Sequence, residues 1–158
     1  ATYGDWVEHL STLFPEVRLK NTLECRGADV QRPDMLFALP ALWKGLLYDD
    51  DSFRGLEGLV DSWSFREVER QRDALARHGV RTKFMNREAV DWAGEVLELA
   101  ESGLRRIGDL NDAGEDESVL LRPLRALLEA SQCPADVLLE QVGSDRPSRD
   151  AVIHVAGL

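Results

Sequence analysis

Apolar residues recur at near-helical spacing through the opening of the chain, at Trp6, Val7, Leu10, Leu13 and Phe14, until Pro15 breaks the run. From Val17 to Cys25 the pattern changes to rough alternation. Val17, Leu19, Leu23 and Cys25 stand against Arg18, Lys20, Glu24 and Arg26, the period of a half-buried strand, and Gly27 ends it. One or two strands are therefore expected near Leu19 to Arg26.

Beyond Gly27 the spacing is helical almost to the end. Pro33 suits a first helical position ahead of the apolar stretch Met35 to Tyr48, which Pro40 should kink or restart. The triplet Asp49 to Asp51 closes that stretch and can cap a helix over Phe53 to Trp63, although Gly55 and Gly58 weaken it. Ser64 and Glu67 form a capping box before Val68, Leu75 and Ala76, and His78-Gly79 is a stop signal. Asn86 can cap a long helix from Arg87 to Ile107, with Val90, Ala93, Val96, Leu97, Ala100 and Leu104 on its core face. The polar segment Gly108 to Glu117 reads as a loop. Two helices follow, Ser118 to Ala130 bent at Pro123 and Pro134 to Val142; the tail from Gly143 should be loose until a short strand at Ala151 to Val155. The fold class is mainly α, an α+β chain with its strands near the amino terminus. We read residues 1–158 as one domain: a strand-bearing segment over 1–30, a helical part over 31–143 and a tail over 144–158.

Composition narrows the partners. The chain has 158 residues, 44% of them hydrophobic, enough for a single core. Its formal net charge of -10 repels phosphate backbones and anionic headgroups, which argues against nucleic acid and membrane surfaces. No apolar run reaches the ~20 residues of a membrane-spanning helix, and the amino terminus carries no secretory pattern, so a cytoplasmic protein is expected. Cys25 and Cys133 lie far apart without metal-ligand spacing and are expected to be reduced structural thiols. His9, His78 and His154 share no spacing that would build a metal site or a catalytic base, which leaves them as surface or helix-end residues. There is no internal repeat and no G-x-x-x-x-G-K-[ST] loop, so any nucleotide chemistry must use another device.

The densest group of chemistry-bearing residues is the strand region itself. On a strand, residues at i and i+2 share a face, so Glu24 projects with Arg26, and Arg18 with Lys20. A carboxylate beside a guanidinium has two readings: an exposed cross-strand ion pair worth ~0–1 kcal/mol, or a Mg²⁺ ligand beside a phosphate-binding arginine. Residue types alone leave both open.

The blocks FPEVRLK and LECRGAD, followed by LPALWKGLLYD, closely resemble the proteobacterial and plant-type glutamate-cysteine ligases; LLRPL and CPADVLLE extend the likeness more weakly toward the carboxyl end. The resemblance implies an ATP- and magnesium-dependent ligase that activates the γ-carboxylate of glutamate as an acyl phosphate. The amine of cysteine then attacks it to form γ-glutamylcysteine in glutathione biosynthesis. It implies an antiparallel sheet cupped by helices, with the LE-x-R strand lining the cleft. Glu24 then matches a magnesium ligand and Arg26 the catalytic arginine on the transferring phosphate, while Arg18 and Lys20 become further anion contacts. Trp43 becomes a wall of the glutamate pocket, whereas Trp6, Trp63 and Trp92 read as core. In the family a larger amino-terminal portion precedes this region and brings most of the magnesium-binding glutamates, so that portion is an expected partner and the isolated chain is expected to be inactive. Thr22, Cys25 and the run Val30-Gln31-Arg32-Pro33 depart from the family pattern and leave the amine acceptor open. The alternatives are a helical interaction module without chemistry of its own, or a γ-glutamyl ligase with a different acceptor.

Overall fold

The computed structural model describes residues 1–28, 31–143 and 148–156, and divides into two units, Ala1–Gln31 and Arg32–Leu158. It is mainly helical, with strands in two small antiparallel pairs among the described residues. Asp29 of the LECRGAD block, Val30 and the start of the tail expected after Gly143 lie outside those residues.

The first unit opens with helix α1, Tyr3–Ser11, held by a capping box in which Thr2 Oγ1 accepts the Asp5 N–H and Asp5 returns the bond to the Thr2 N–H. The alternating run that follows is a hairpin rather than one strand. β1, Val17–Leu19, pairs with β2, Leu23–Cys25, because Lys20, Asn21 and Thr22 turn the chain, with the Lys20 N–H on the Thr22 carbonyl at 3.0 Å.

The second unit is built on two helices, α2 (Ala38–Leu47) and α5 (Ala89–Ile107). Buried Ala41 and Leu46 meet Leu97, Ala100 and Leu104, with Leu121 closing the cluster. Small residues let the two backbones approach. A Cβ on Gly45 would stand 2.2 Å from the Ala100 carbonyl oxygen, and one on Gly103 2.0 Å from that of Gly45. Beside this contact Ser52 is fully buried, its hydroxyl donating to the Leu99 carbonyl at 2.7 Å. Buried Glu101 is satisfied by Arg125 at 2.8 Å and Arg105 at 3.2 Å, as a carboxylate removed from water must be.

Helix α3, Asp50–Val60, is capped by Asp49 as expected, and α4, Phe65–His78, starts at Ser64 and stops at Gly79 with φ 55°. Pro40 restarts the helical run, one of the two effects expected of it. It sits in the first turn of α2, where no intrahelical N–H bond is required, after a separate 3-10 turn at Pro33–Met35. Pro123 does the same for α6, Arg122–Glu129, which follows a 3-10 turn at Glu117–Leu121. The last described helices are α7, Pro134–Val142, and α8, Arg149–Ala156. The expected strand at Ala151 to Val155 is therefore helical: a five-residue apolar stretch has no decisive period, and among the described residues the strands pair only with one another, in two separate antiparallel pairs.

Asn86 does not cap α5. With Met85 it forms the two-residue turn between β3 (Lys83–Phe84) and β4 (Arg87–Glu88), at φ 48° and 63°. Asparagine tolerates that left-handed backbone, which makes it as good a hairpin residue as a cap. Trp63 and Trp92 are half-buried and meet edge to face at 5.2 Å, with Phe84 on Trp63 at 4.7 Å. Trp6, also expected in the core, is 56% exposed on α1. The three histidines are exposed at helix ends, and both cysteines are free thiols.

Asp49 also joins α3 to α5. Arg106 grips it through Nη2–Oδ1 at 2.6 Å and Nε–Oδ2 at 3.0 Å, and its Nη2 reaches the Ser52 hydroxyl at 2.9 Å. The guanidinium first, and the Ser52 backbone N–H second, hold the Asp49 carboxyl well below the usual carboxylate range. A depressed carboxylate stabilises the fold above its unfolded pKa and ceases to as pH falls through the folded value, so this contribution should fade below about pH 4. Asp49→Asn should lower the melting temperature at pH 7 and differ progressively less from the parent toward pH 3. Thermal melts across that range check this, and a gap that stays constant would remove the ion pair from the account.

Candidate functional site

The hairpin of the first unit has two chemically distinct faces. Its register pairs Val17 with Cys25, Arg18 with Glu24 and Leu19 with Leu23. Because side chains alternate across a strand, Val17, Leu19, Leu23 and Cys25 share one face and Arg18 and Glu24 the other. The Arg26 N–H donates to the Glu16 carbonyl at 2.8 Å, which carries the ladder one residue past β2 and continues the alternation to Arg26.

On the polar face Arg18 holds Glu24. Its Nε and Nη2 both lie 2.8 Å from Oε2 of the carboxylate, and its Nη1 donates to the Ser11 carbonyl at 3.4 Å. Glu24 is therefore paired across the ladder with Arg18, and not along the strand with Arg26. Both contacts fall on Oε2, which leaves Oε1 for another partner.

Arg26 is placed differently. Its guanidinium carbon stands 4.4 Å from the centre of the Phe14 ring, inside the range where the ring's negative face attracts a cation. The ring fixes the plane of the fork, and Nη1 is buried with no hydrogen-bond partner. A buried donor of a charged group without an acceptor is costly, and an anionic oxygen is the ligand that relieves it. Lys20 stands exposed at the turn. Trp43 belongs to the second unit, on α2, where it packs half-buried against the helical core.

Sequence reasoning passed over two functions here. Phe14 ends the opening apolar run and begins the FPEVRLK block, neither of which marks it as the platform for Arg26; no spacing rule links residues twelve positions apart across a proline. Arg18, ranked behind Arg26, is the residue that orients Glu24, and the alternation of the strand carried a signal for it once a hairpin turn is placed at Lys20 to Thr22.

The fit to magnesium can be judged from the donors. Among the described residues no group of three or more His, Cys, Asp or Glu could hold a metal ion. Glu24 can offer one oxygen, so Mg²⁺ bound there would draw its other ligands from water, substrate oxygens or protein beyond this chain. The phosphate fit is better, since Arg26 presents a planar, unsatisfied donor fixed by stacking.

Comparison with known proteins agrees with these motifs. Residues 1–154 match the family described as glutamate-cysteine ligase family 2. The chain is 40% identical over 138 residues to the chloroplastic glutamate-cysteine ligase A of Oryza sativa subsp. indica, covering 87% of this chain and 27% of that protein. It is 40% identical over 144 residues to the chloroplastic ligase of Arabidopsis thaliana, covering 91% of this chain and 26% of that protein. The chloroplastic ligase of Medicago truncatula is 40% identical over 139 residues, covering 88% and 26%. The chain thus spans about a quarter of the length of the curated relatives it matches. These relatives are chloroplastic, which overturns the expectation of a cytoplasmic protein. That expectation rested on composition and on the residue pattern at the start of the given sequence, neither of which reports on a compartment here.

Proposed function

From the premise that this chain belongs to glutamate-cysteine ligase family 2, we propose that it supplies the phosphate-facing wall of an ATP-dependent ligase joining the γ-carboxylate of glutamate to the amine of cysteine. The observation that carries the reading is Arg26, stacked on Phe14 with Nη1 buried and unpartnered. Such a group binds an oxyanion without first breaking a bond of its own, and it is already oriented when charge develops on a phosphoryl oxygen. ATP, when bound, supplies the phosphoryl group that activates the carboxylate.

The other residues follow from the same face. Arg18 fixes the rotamer of Glu24 through Oε2, so that Oε1 can serve as a single oxygen ligand to Mg²⁺. Lys20 is a further positive charge for anionic substrate groups at the turn. Trp43 is kept as a candidate wall of the glutamate pocket. The rest of the cleft would come from the part of the ligase that this chain does not span, and the isolated chain would then bind ATP-magnesium weakly and turn over nothing. The relatives' chloroplastic setting replaces the cytoplasm in this reading.

The test is kinetic and uses this chain within an assembled ligase. Arg26→Lys should lose turnover with the fold intact. Glu24→Gln should raise the magnesium concentration needed for half-maximal rate by about tenfold, because an amide oxygen binds the ion more weakly than a carboxylate. Normal turnover in the first variant and a normal magnesium curve in the second would return the hairpin to a surface ion pair.

A further inference from the structure

The face of the hairpin opposite Arg18 and Glu24 carries Val17, Leu19 and Leu23, and all three are more than half exposed, Leu19 at 81%. Helix α1 repeats the feature. Tyr3, Trp6, Val7 and Leu10 recur at i, i+3, i+4 and i+7, a single stripe on one side of the helix, and every one of them is exposed. No described residue of the first unit is buried. A stripe and a strand face of this kind are what a helix and a sheet present to a hydrophobic core, yet this unit encloses none of its own.

Singly scattered apolar residues are ordinary on a surface, but a whole helix stripe and a whole strand face left open in a unit with no buried residue among those described are the mark of an interaction surface. A free two-stranded hairpin is marginal in water, so a surface that must keep Glu24 and Arg26 in position needs cover from behind. The relatives have about three-quarters of their length outside the match, and that length is the one source of cover which the comparisons themselves supply.

We propose that the apolar hairpin face (Val17, Leu19, Leu23) and the α1 stripe (Tyr3, Trp6, Val7, Leu10) are the docking surface for the portion of the ligase that this chain does not span. The sheet is then two-sided in function. Its polar face meets anionic substrates, and its apolar face is clamped by the complementary part, which rigidifies the hairpin and with it the Arg18–Glu24 pair and the Phe14–Arg26 stack. The proposal rests on the ligase reading, but its measurement is binding and not turnover.

The experiment mixes this chain with the part of the Arabidopsis thaliana ligase outside the matched 144 residues and measures complex formation by sedimentation and titration. The parent chain should form a one-to-one complex. Leu10→Asp with Leu19→Asp should weaken it by at least about 100-fold, and the milder Trp6→Ala with Leu19→Thr by roughly tenfold. Both doubles should retain the parent's helical circular dichroism and melting temperature, since the altered residues are exposed. Arg26→Lys should bind like the parent, which separates this inference from the catalytic one. No complex with the parent chain, equal binding by the Asp double, or a melting temperature that falls with the Asp double would each overturn the proposal. So would a stable dimer of the parent chain that the Asp double dissolves, which would assign the surface to a second copy.

Discussion

Gly45→Ala should destabilise the helical unit by about 3–5 kcal/mol, enough to lower its melting temperature by roughly 10 °C or more. The added methyl would sit 2.2 Å from the Ala100 carbonyl oxygen and 2.8 Å from its carbon. These are backbone atoms in the middle of α5, so no rotamer change can make room. The two helices must separate, which opens the contacts of Leu46 with Leu97 and Leu104 and strands the buried Ser52 hydroxyl. Gly103→Ala meets the same obstacle from the other side, 2.0 Å from the Gly45 carbonyl oxygen and 2.7 Å from Ser52 Oγ. Because both changes disrupt one contact, the double variant should lose less than the sum of the singles. Gly58→Ala is the control. It lies on the same set of helices with nothing within 4 Å of its added methyl, and helix propensity alone should leave it neutral or more stable by up to ~1 kcal/mol. Denaturant melts of the three variants decide the matter, and Gly45→Ala behaving like Gly58→Ala would show that α2 and α5 do not cross here.

Arg26→Lys should reduce turnover of the assembled ligase by on the order of 10²-fold or more while leaving its melting temperature within about 2 °C of the parent. Lysine keeps the charge. It lacks the planar fork that stacks on Phe14 and the second donor nitrogen, fixed in that plane, that would meet a two-oxygen contact. The unpartnered Nη1 makes the prediction asymmetric: removing a donor that binds nothing within the chain costs the fold little, whereas removing one that meets a phosphoryl oxygen costs the transition state a charge-assisted bond. Phe14→Leu should give a smaller loss, about tenfold, since it frees the guanidinium to rotate without deleting it. If Arg26 only decorated the strand, Arg26→Lys would change stability by under ~1 kcal/mol and leave turnover untouched. Steady-state rates beside thermal melts separate the two cases.

The order of elements was legible wherever one residue type has one local use. Asp49 and Ser64 accept N–H groups at helix starts, Gly79 takes the positive φ that ends α4, and the spacing of Leu97, Ala100 and Leu104 marks the face that became core. The family was legible for a different reason, because FPEVRLK, LECRGAD and LPALWKGLLYD are long enough for residue order alone to be specific. Misreadings fell where one residue suits two structures. Asn86 serves a hairpin turn as readily as a cap, and Pro123 starts a helix as readily as it bends one. Trp6 looked like core because its stripe is genuine; periodicity says which residues share a face but not whether anything covers it.

By itself, then, the sequence determined the local periods, the caps and the presence of Arg18, Lys20, Glu24 and Arg26 on a short strand region, since each depends only on neighbours along the chain. The tertiary structure decided which of these charges meet. A three-residue turn set the register that gives Glu24 to Arg18, and a fold-back across Pro15 put Phe14 beneath Arg26. It also decided the closeness of α2 to α5, because a glycine's missing Cβ becomes informative only when another backbone occupies the space it leaves.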